Sequence, residues 1–351
     1  MAKVLFVSKD KGGAQMMIPL VIEIVKHGHD DMVISEGLAS KLFEAEDFPL
    51  YFKGTVNFQE EPFTLDAEAV LKKQKPDVVV VSSGFPINLE YLFAKAANEL
   101  GMPLVLLEDY WGGCKRFTSV RPCLVLTPDE YGAQMAEACF AMSMTRCDVK
   151  TVGHHELSAK ELHPVNPSLL NDLLLPATGL RCLYVGGGNS TTAELELLLK
   201  CLKQTSEEWW LLPRFHPKWI NVISPNGRTY SEVWNEILKP FQSRVIDTSV
   251  CKEPSNLVGF VDVVASGFST LLNVAAFRGL ITVSLFTEET MKSIREELEL
   301  EEVPLVALGL AHSISVPTNI STLKPPDRGR VSQTLKPYDP SLAYDYLSNL
   351  L

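Results

Sequence analysis

The chain has 351 residues, longer than one ordinary core and suited to two domains of about 150 residues each. Hydrophobic residues make up 46% and charged residues 21%, a soluble globular balance that excludes a disordered chain. The net charge of −11 argues against a general nucleic-acid binder, because no basic excess meets a phosphate backbone.

The seven cysteines (Cys114, Cys123, Cys139, Cys147, Cys182, Cys201, Cys251) form no CxxC pair and show no metal-ligand spacing. Several lie in apolar segments, as buried thiols of a reducing compartment do. No apolar run reaches the roughly 18 residues of a membrane span. Residues 1–7 read as a first strand rather than a signal peptide. The expected compartment is the cytoplasm.

Residues 3–7 (Lys-Val-Leu-Phe-Val) read as a buried strand running into Gly12-Gly13, followed by an apolar-periodic helix over 16–27. Strands follow at 77–81, 103–107 and 123–126, with helical spacing over 89–100. A proline-rich joint falls near 155–178, around Pro164, Pro167 and Pro176. The pattern then restarts: residues 181–185 form a strand, Gly186-Gly187-Gly188 a turn, and a helix continues to about 203. Further strands are expected at 209–213, 244–246, 261–265 and 280–284, with a helix over 231–238. Residues 340–347 close the chain as a short helix.

Continuous apolar strands alternating with helices predict parallel sheets covered on both faces. The expected fold is α/β, two doubly wound Rossmann-like domains facing across a cleft. The expected parts are 1–160, 175–338, and a terminal helix over 339–351 free to cross back to the first domain. Ligands of such folds sit at the carboxyl ends of the strands.

Two segments point to a phosphate. Arg214-Phe-His216-Pro217-Lys218 closes a strand with an imidazole and two cations on a stiff turn. Ser266-Gly267-Phe268-Ser269-Thr270 opens a predicted helix with hydroxyls and backbone N–H groups, which favour an anion. Ser269 and Thr270 would look the same as plain N-caps. Gly187 and Gly188 are a flexible turn first and a diphosphate neighbour second; Gly12 and Gly13 are a tight turn or a close approach to a ligand. Neither run is a GxGxxG fingerprint, so a dinucleotide enzyme is not expected.

These residues resemble the GT-B class of glycosyltransferases. The opening Val4-Leu-Phe-Val-Ser8 with Gly12-Gly13 resembles the acceptor domain, and Lys150-Thr-Val-Gly153-His154-His155 the strand that closes it. Leu183-Tyr-Val-Gly-Gly-Gly-Asn189 is similar to the start of the donor domain, and residues 266–279 to its phosphate loop and helix. Glu108-Asp109, His216-Pro217 and Ser269-Thr270 resemble the acidic pair, His-Pro and hydroxyl pair of cytidine-nucleotide enzymes, including bacterial sialyltransferases. The acidic pair there is followed by Gly, whereas Tyr110 follows here. UDP-using relatives carry a Glu early in the donor helix, where this chain has Asn273.

The resemblance implies metal-independent transfer of a sugar from a nucleotide-sugar donor to a saccharide or other hydroxyl acceptor. No cofactor is expected beyond that co-substrate. Asp109, or Glu108, would act as base at a strand end, or be no more than a turn carboxylate. His216, with Arg214 and Lys218, would stabilise the leaving phosphate. Inversion follows if a single carboxylate serves. A sugar-nucleotide 2-epimerase of the same architecture is the second expectation; it would want more acids and histidines than His154, Glu156 and His216 supply. A non-catalytic nucleotide-sugar-binding protein is the third.

His154-His155-Glu156 lacks a third ligand at useful spacing, so no metal is expected. A second His-Pro, His163-Pro164, lies in the joint. Trp111 suits an acceptor-sugar platform or the cleft wall equally. Residues 296–302 read as a solvated acidic helix face, and the loops around 36–66 and 108–120 as the choosers of acceptor.

Overall fold

A computed structural model describes residues 1–53, 66–84, 88–141, 147–158, 173–251 and 253–351. The joint prolines Pro164 and Pro167, His163, and residues 54–65 of the acceptor loop lie outside the described residues. The chain divides into two compact units, Met1–His155 with Lys336–Leu351, and Glu156–Leu335.

The first unit holds a seven-stranded sheet. Its strands are β1 (Lys3–Ser8), β2 (Asp30–Ser35), β3 (Leu50–Lys53), β4 (Val78–Ser82), β5 (Leu104–Leu107), β6 (Leu124–Thr127) and β7 (Asp148–Thr151). All pairs are parallel, in the order β3-β2-β1-β4-β5-β6-β7. Alternate residues feed two cores. Leu5, Val7, Val79 and Val81 pack with Leu89, Phe93 and Ala97 on one face. Val4, Phe6, Val78 and Val80 pack with Met16, Leu20 and Ile24 on the other. Being buried on both sides is why β4 (Val-Val-Val-Val-Ser) shows no polar alternation. The terminal helix Pro340–Ser348 lays Ala343 and Leu347 against the second core, beside helix Lys11–Lys26.

The second unit holds five parallel strands: β8 (Leu180–Gly186), β9 (Trp209–Phe215), β10 (Val263–Ser266), β11 (Ile281–Leu285) and β12 (His312–Ile314). Their order is β12-β11-β10-β8-β9. Tyr184, Leu211, Ala265 and Val283 pack with Leu195, Leu198 and Trp234. Trp209 is buried, while Trp210 is only half-buried, its Nε1 donating to the Thr178 carbonyl at 2.9 Å.

Three local expectations change. Residues 244–246 do not form a strand: a 3-10 turn, Lys239–Arg244, opens on Pro240, and Val245 then makes a single bridge to Leu211. Proline fits the start of such a turn because its missing N–H has no partner there anyway. The acidic stretch 296–302 is cut by the end of helix Glu288–Leu298, with Glu299 at φ 53°. Helix Lys11–Lys26 begins a turn earlier than its apolar periodicity, so Gly12 and Gly13 are helical rather than a tight turn.

Candidate functional sites at the two strand reversals

Strand order reverses between β1 and β4 in the first unit, and between β8 and β10 in the second. Beyond the carboxyl ends at such a point, neighbouring loops part and leave room for a ligand.

In the first unit the β1 and β4 ends meet through hydroxyls, Ser82 Oγ donating to Ser8 Oγ at 3.0 Å. The first turn of helix Lys11–Lys26 lies directly on them. A Cβ on Gly13 would sit 2.5 Å from Ser82 Cβ, and one on Gly12 would sit 2.2 Å from Asp109 Oδ2. The two glycines therefore serve close packing of a helix start on the strand ends. Their chemistry is contact with Asp109 and the serines.

Asp109 follows β5 and is 9% exposed. Its Oδ1 accepts from Ser83 Oγ at 2.9 Å, and Arg116 holds the Ser83 carbonyl through Nη1 at 3.0 Å. Burial pushes the Asp109 carboxyl up; His155 and the Ser83 hydroxyl draw it down, and Asp10 pushes it up again. The net direction is upward. Glu108 is fully buried, its carboxylate accepting from the Cys114 N–H. Burial raises it to about 8, and the Cys114 backbone bond offsets that only in part. Of the acidic pair, Asp109 is the less completely buried member.

Sequence reasoning missed a third carboxylate. Glu90 is 1% exposed, accepts the Lys9 N–H at 2.7 Å, and is raised to about 7 by burial. Asp10 Oδ2 and Glu90 Oε1 both lie against Gly84, 2.9 and 2.7 Å from where its Cβ would be.

Trp111 is 2% exposed and no sugar platform. Its Nε1 donates to Asp129, whose carboxylate also meets His154 Nε2 at 3.1 Å and the Gly132 N–H at 2.9 Å. The run His154-His155-Glu156 is divided accordingly. His154 pairs with Asp129, His155 acts on Asp109, and the Glu156 carboxylate accepts from Asn273 Nδ2. Among the described residues no group of three or more His, Cys, Asp and Glu side chains is placed to hold a metal ion.

In the second unit a pocket of about 130 Å³ opens at the β8 and β10 ends. Whole-ligand pockets start near 300 Å³, so this one suits a phosphate or a ribose-sized group. Gly187, Gly188 and Ser266 line it together with Ser190, Glu194 and Thr290. Glu194, missed in the sequence, fills the place expected of an anion. Its Oε2 accepts from the Gly267 N–H at 2.9 Å and its Oε1 from Thr290 Oγ1 at 3.0 Å. The Gly267 donor expected to be open to phosphate is therefore engaged by a side chain. A Cβ at Gly267 would fall 2.0 Å from Glu194 Oε1, which explains glycine there.

The neighbouring helix is Leu271–Phe277, under two turns, so little dipole supports an anion at Ser269 and Thr270. Ser269 Oγ accepts from the Leu271 N–H at 3.3 Å, and Thr270 is exposed. Asn273, 2% exposed, faces Glu156 instead of solvent. Arg214 Nη1 donates to the Thr248 carbonyl at 3.1 Å, so part of its guanidinium holds the chain after β9. His216 is exposed, its N–H donating to the Gly186 carbonyl at 2.8 Å, which sets it beside the glycine turn. The Lys218 side chain lies outside what is described.

No family model and no curated protein sequence matches the chain. Solved structures do. The S. aureus MnaA–UDP structure superposes with a TM-score of 0.67 at 13% identity, over 100% of this chain and 98% of that one. UDP-GlcNAc 2-epimerase from Neisseria meningitidis, bound to UDP-GlcNAc, gives 0.66 at 14% over 99% and 98%. Acinetobacter baumannii MurG gives 0.56 at 12% over 99% and 100%. These likenesses show the fold alone, two parallel-sheet α/β units of GT-B-like architecture. The first two relatives carry uridine nucleotides, and nothing in these likenesses supports the resemblance to cytidine-nucleotide enzymes. Among the described residues no helix is long and apolar enough to cross a membrane.

Proposed function

We propose that this chain is an enzyme acting on a nucleotide-sugar, and that its first reaction to test is epimerisation at carbon 2 of the sugar. The observation that carries the reading is the first unit's strand reversal, where Asp109 lies against Gly12 and Asp10 and Glu90 lie against Gly84, with His155 acting electrostatically on Asp109. Inverting carbon 2 breaks its C–H bond, the freed electron pair expelling the nucleotide diphosphate from carbon 1, and then returns a proton to the other face of carbon 2 as the diphosphate re-adds at carbon 1. Side chains within reach of that carbon must do both, and the Asp109 and Glu90 carboxyls are both raised by burial toward holding a proton. The sequence alone offered too few such groups for this reaction, and folding brings the remainder. Nucleotide recognition is assigned to the second unit, through Gly187, Gly188, Ser266 and His216. The uridine nucleotides of the S. aureus and Neisseria proteins make UDP-sugars the first substrates to try.

Incubation with UDP-GlcNAc in deuterated water, without any acceptor, tests the proposal. Deuterium at carbon 2 and growth of the manno isomer in the NMR spectrum are expected. Product only on addition of a hydroxyl acceptor would favour the second reading, glycosyl transfer with Asp109 as the base. That reading keeps its own support, since Asp109 follows the end of β5 and is the less completely buried member of the acidic pair. Cytidine-nucleotide donors belong in the same screen.

A further inference from the structure

Glu194 is a buried carboxylate with no part in the chemistry above, and its partners come from every side of the second unit's pocket. The Gly267 N–H reaches it from the end of β10, Thr290 from helix Glu288–Leu298, and Tyr184 Oη from β8 at 3.2 Å. Ser190, at the start of its own helix Thr191–Leu202, also hydrogen-bonds to it. It is 3% exposed. Among the described residues that line the pocket or bond to Glu194, Tyr184 is the one other titratable group and none is cationic.

These donors are the ones a phosphate would use: a backbone N–H at the end of a strand and the hydroxyls around it. A phosphate and an ionised carboxylate cannot share them, because two like charges at contact in a partly dry pocket repel strongly. We propose that ligand phosphate enters this pocket together with one proton, which Glu194 takes up, so that nucleotide binding is coupled to pH. The proposal rests on the reading that the second unit binds a nucleotide. Neutralised, Glu194 gives up its claim on the Gly267 N–H and can donate its own O–H to a phosphate oxygen. Burial raises its carboxyl while the surrounding donors lower it, and burial leads, so uptake is favoured in the direction required.

The test is calorimetric titration of the full chain with UDP between pH 6.5 and 9, repeated in Tris and in HEPES. Above pH 7 the terminal phosphate of UDP, which titrates near 6, is largely ionised and contributes little. Uptake approaching one proton per UDP is expected, with affinity falling up to about tenfold per pH unit. In Glu194→Gln the pH slope should vanish while binding persists. Should that variant not fold, Thr290→Val replaces it; losing a donor to the carboxylate should move the range of uptake to higher pH. An unchanged slope in Glu194→Gln overturns the inference and leaves nucleotide binding standing, as does uridine binding as tightly as UDP. Failure of both UDP and CDP to bind at any pH overturns the nucleotide reading and this inference with it.

Discussion

Gly12 and Asp109 touch so closely that a methyl group on the glycine would lie 2.2 Å from the aspartate's Oδ2. The contact joins the first turn of a helix to the end of β5, elements separated in sequence by most of the first unit. Gly12→Ala must push Asp109 off its Ser83 partner or lift the helix start. Turnover should fall at least about 100-fold, the scale of a misplaced acid–base group. Binding of UDP by the second unit should stay within about twofold. Paired kinetics and calorimetry check both halves, and an alanine variant of full activity would remove Asp109 from the chemistry.

Asp109→Asn should cost about 10²–10⁴ in kcat with little change in KM, since the amide keeps the shape and loses the proton transfer. Ser83→Ala tests the same group more gently. The Ser83 hydroxyl holds the Asp109 carboxyl down, so its removal lets burial push the carboxyl further up. If Asp109 works as a base, the acid limb of the kcat profile should move to higher pH in Ser83→Ala. A profile that does not move would place the limiting titration elsewhere.

Much of the frame was legible because buried parallel strands announce themselves. β1, β4, β8 and β10 are short apolar runs, and their order along the chain gives the doubly wound pattern. The strands not named are the ones with weak runs: β2 begins with Asp30-Asp31, β3 has four residues, and β12 is a three-residue strand at the end of its sheet. Asp109 and Gly12 were legible as candidates, while their contact was not, because it depends on how strand ends meet. Glu90 and Glu194 were illegible for a different reason. Each stands in the first turn of a helix, where an acid ordinarily complements the dipole and needs no further role. Only burial distinguishes them from such solvated acids.

Glu90 gives a prediction about stability. Its carboxyl rises from 4.5 to about 7 in the folded state, so the folded chain holds a proton that the unfolded chain has released. The protein is therefore most stable against this term below about pH 4.5 and loses stability as pH climbs through about 7. A rise of that size is worth on the order of 3 kcal/mol. Glu90→Gln removes the titration, and its melting temperature should fall less than the parent's between pH 5 and 8. Parallel curves for the two would mean that Glu90 is solvated in solution.

The Asp129 carboxylate gathers Trp111 Nε1, His154 Nε2 and the Gly132 N–H in one buried spot. The neighbouring backbone depends on it: the His154 N–H donates to the Lys336 carbonyl at 2.8 Å, and the Tyr338 N–H donates back to the His154 carbonyl at 3.0 Å. This is where the chain returns to the first unit before its last helix. Asp129→Ala leaves three buried groups without their hydrogen-bond partner and should destabilise by at least about 3 kcal/mol, since each such group left unmade costs about 1–3 kcal/mol. Trp111→Phe removes one donor and leaves the carboxylate its other bonds, so about 1–2 kcal/mol is expected. Denaturant melts of both variants measure the difference. Because Trp111 sits two residues after Asp109, the milder variant should also lower kcat more than it lowers nucleotide affinity. Equal losses in both would mean that the change acts through general destabilisation, with Trp111 having no special hold on the Asp109 turn.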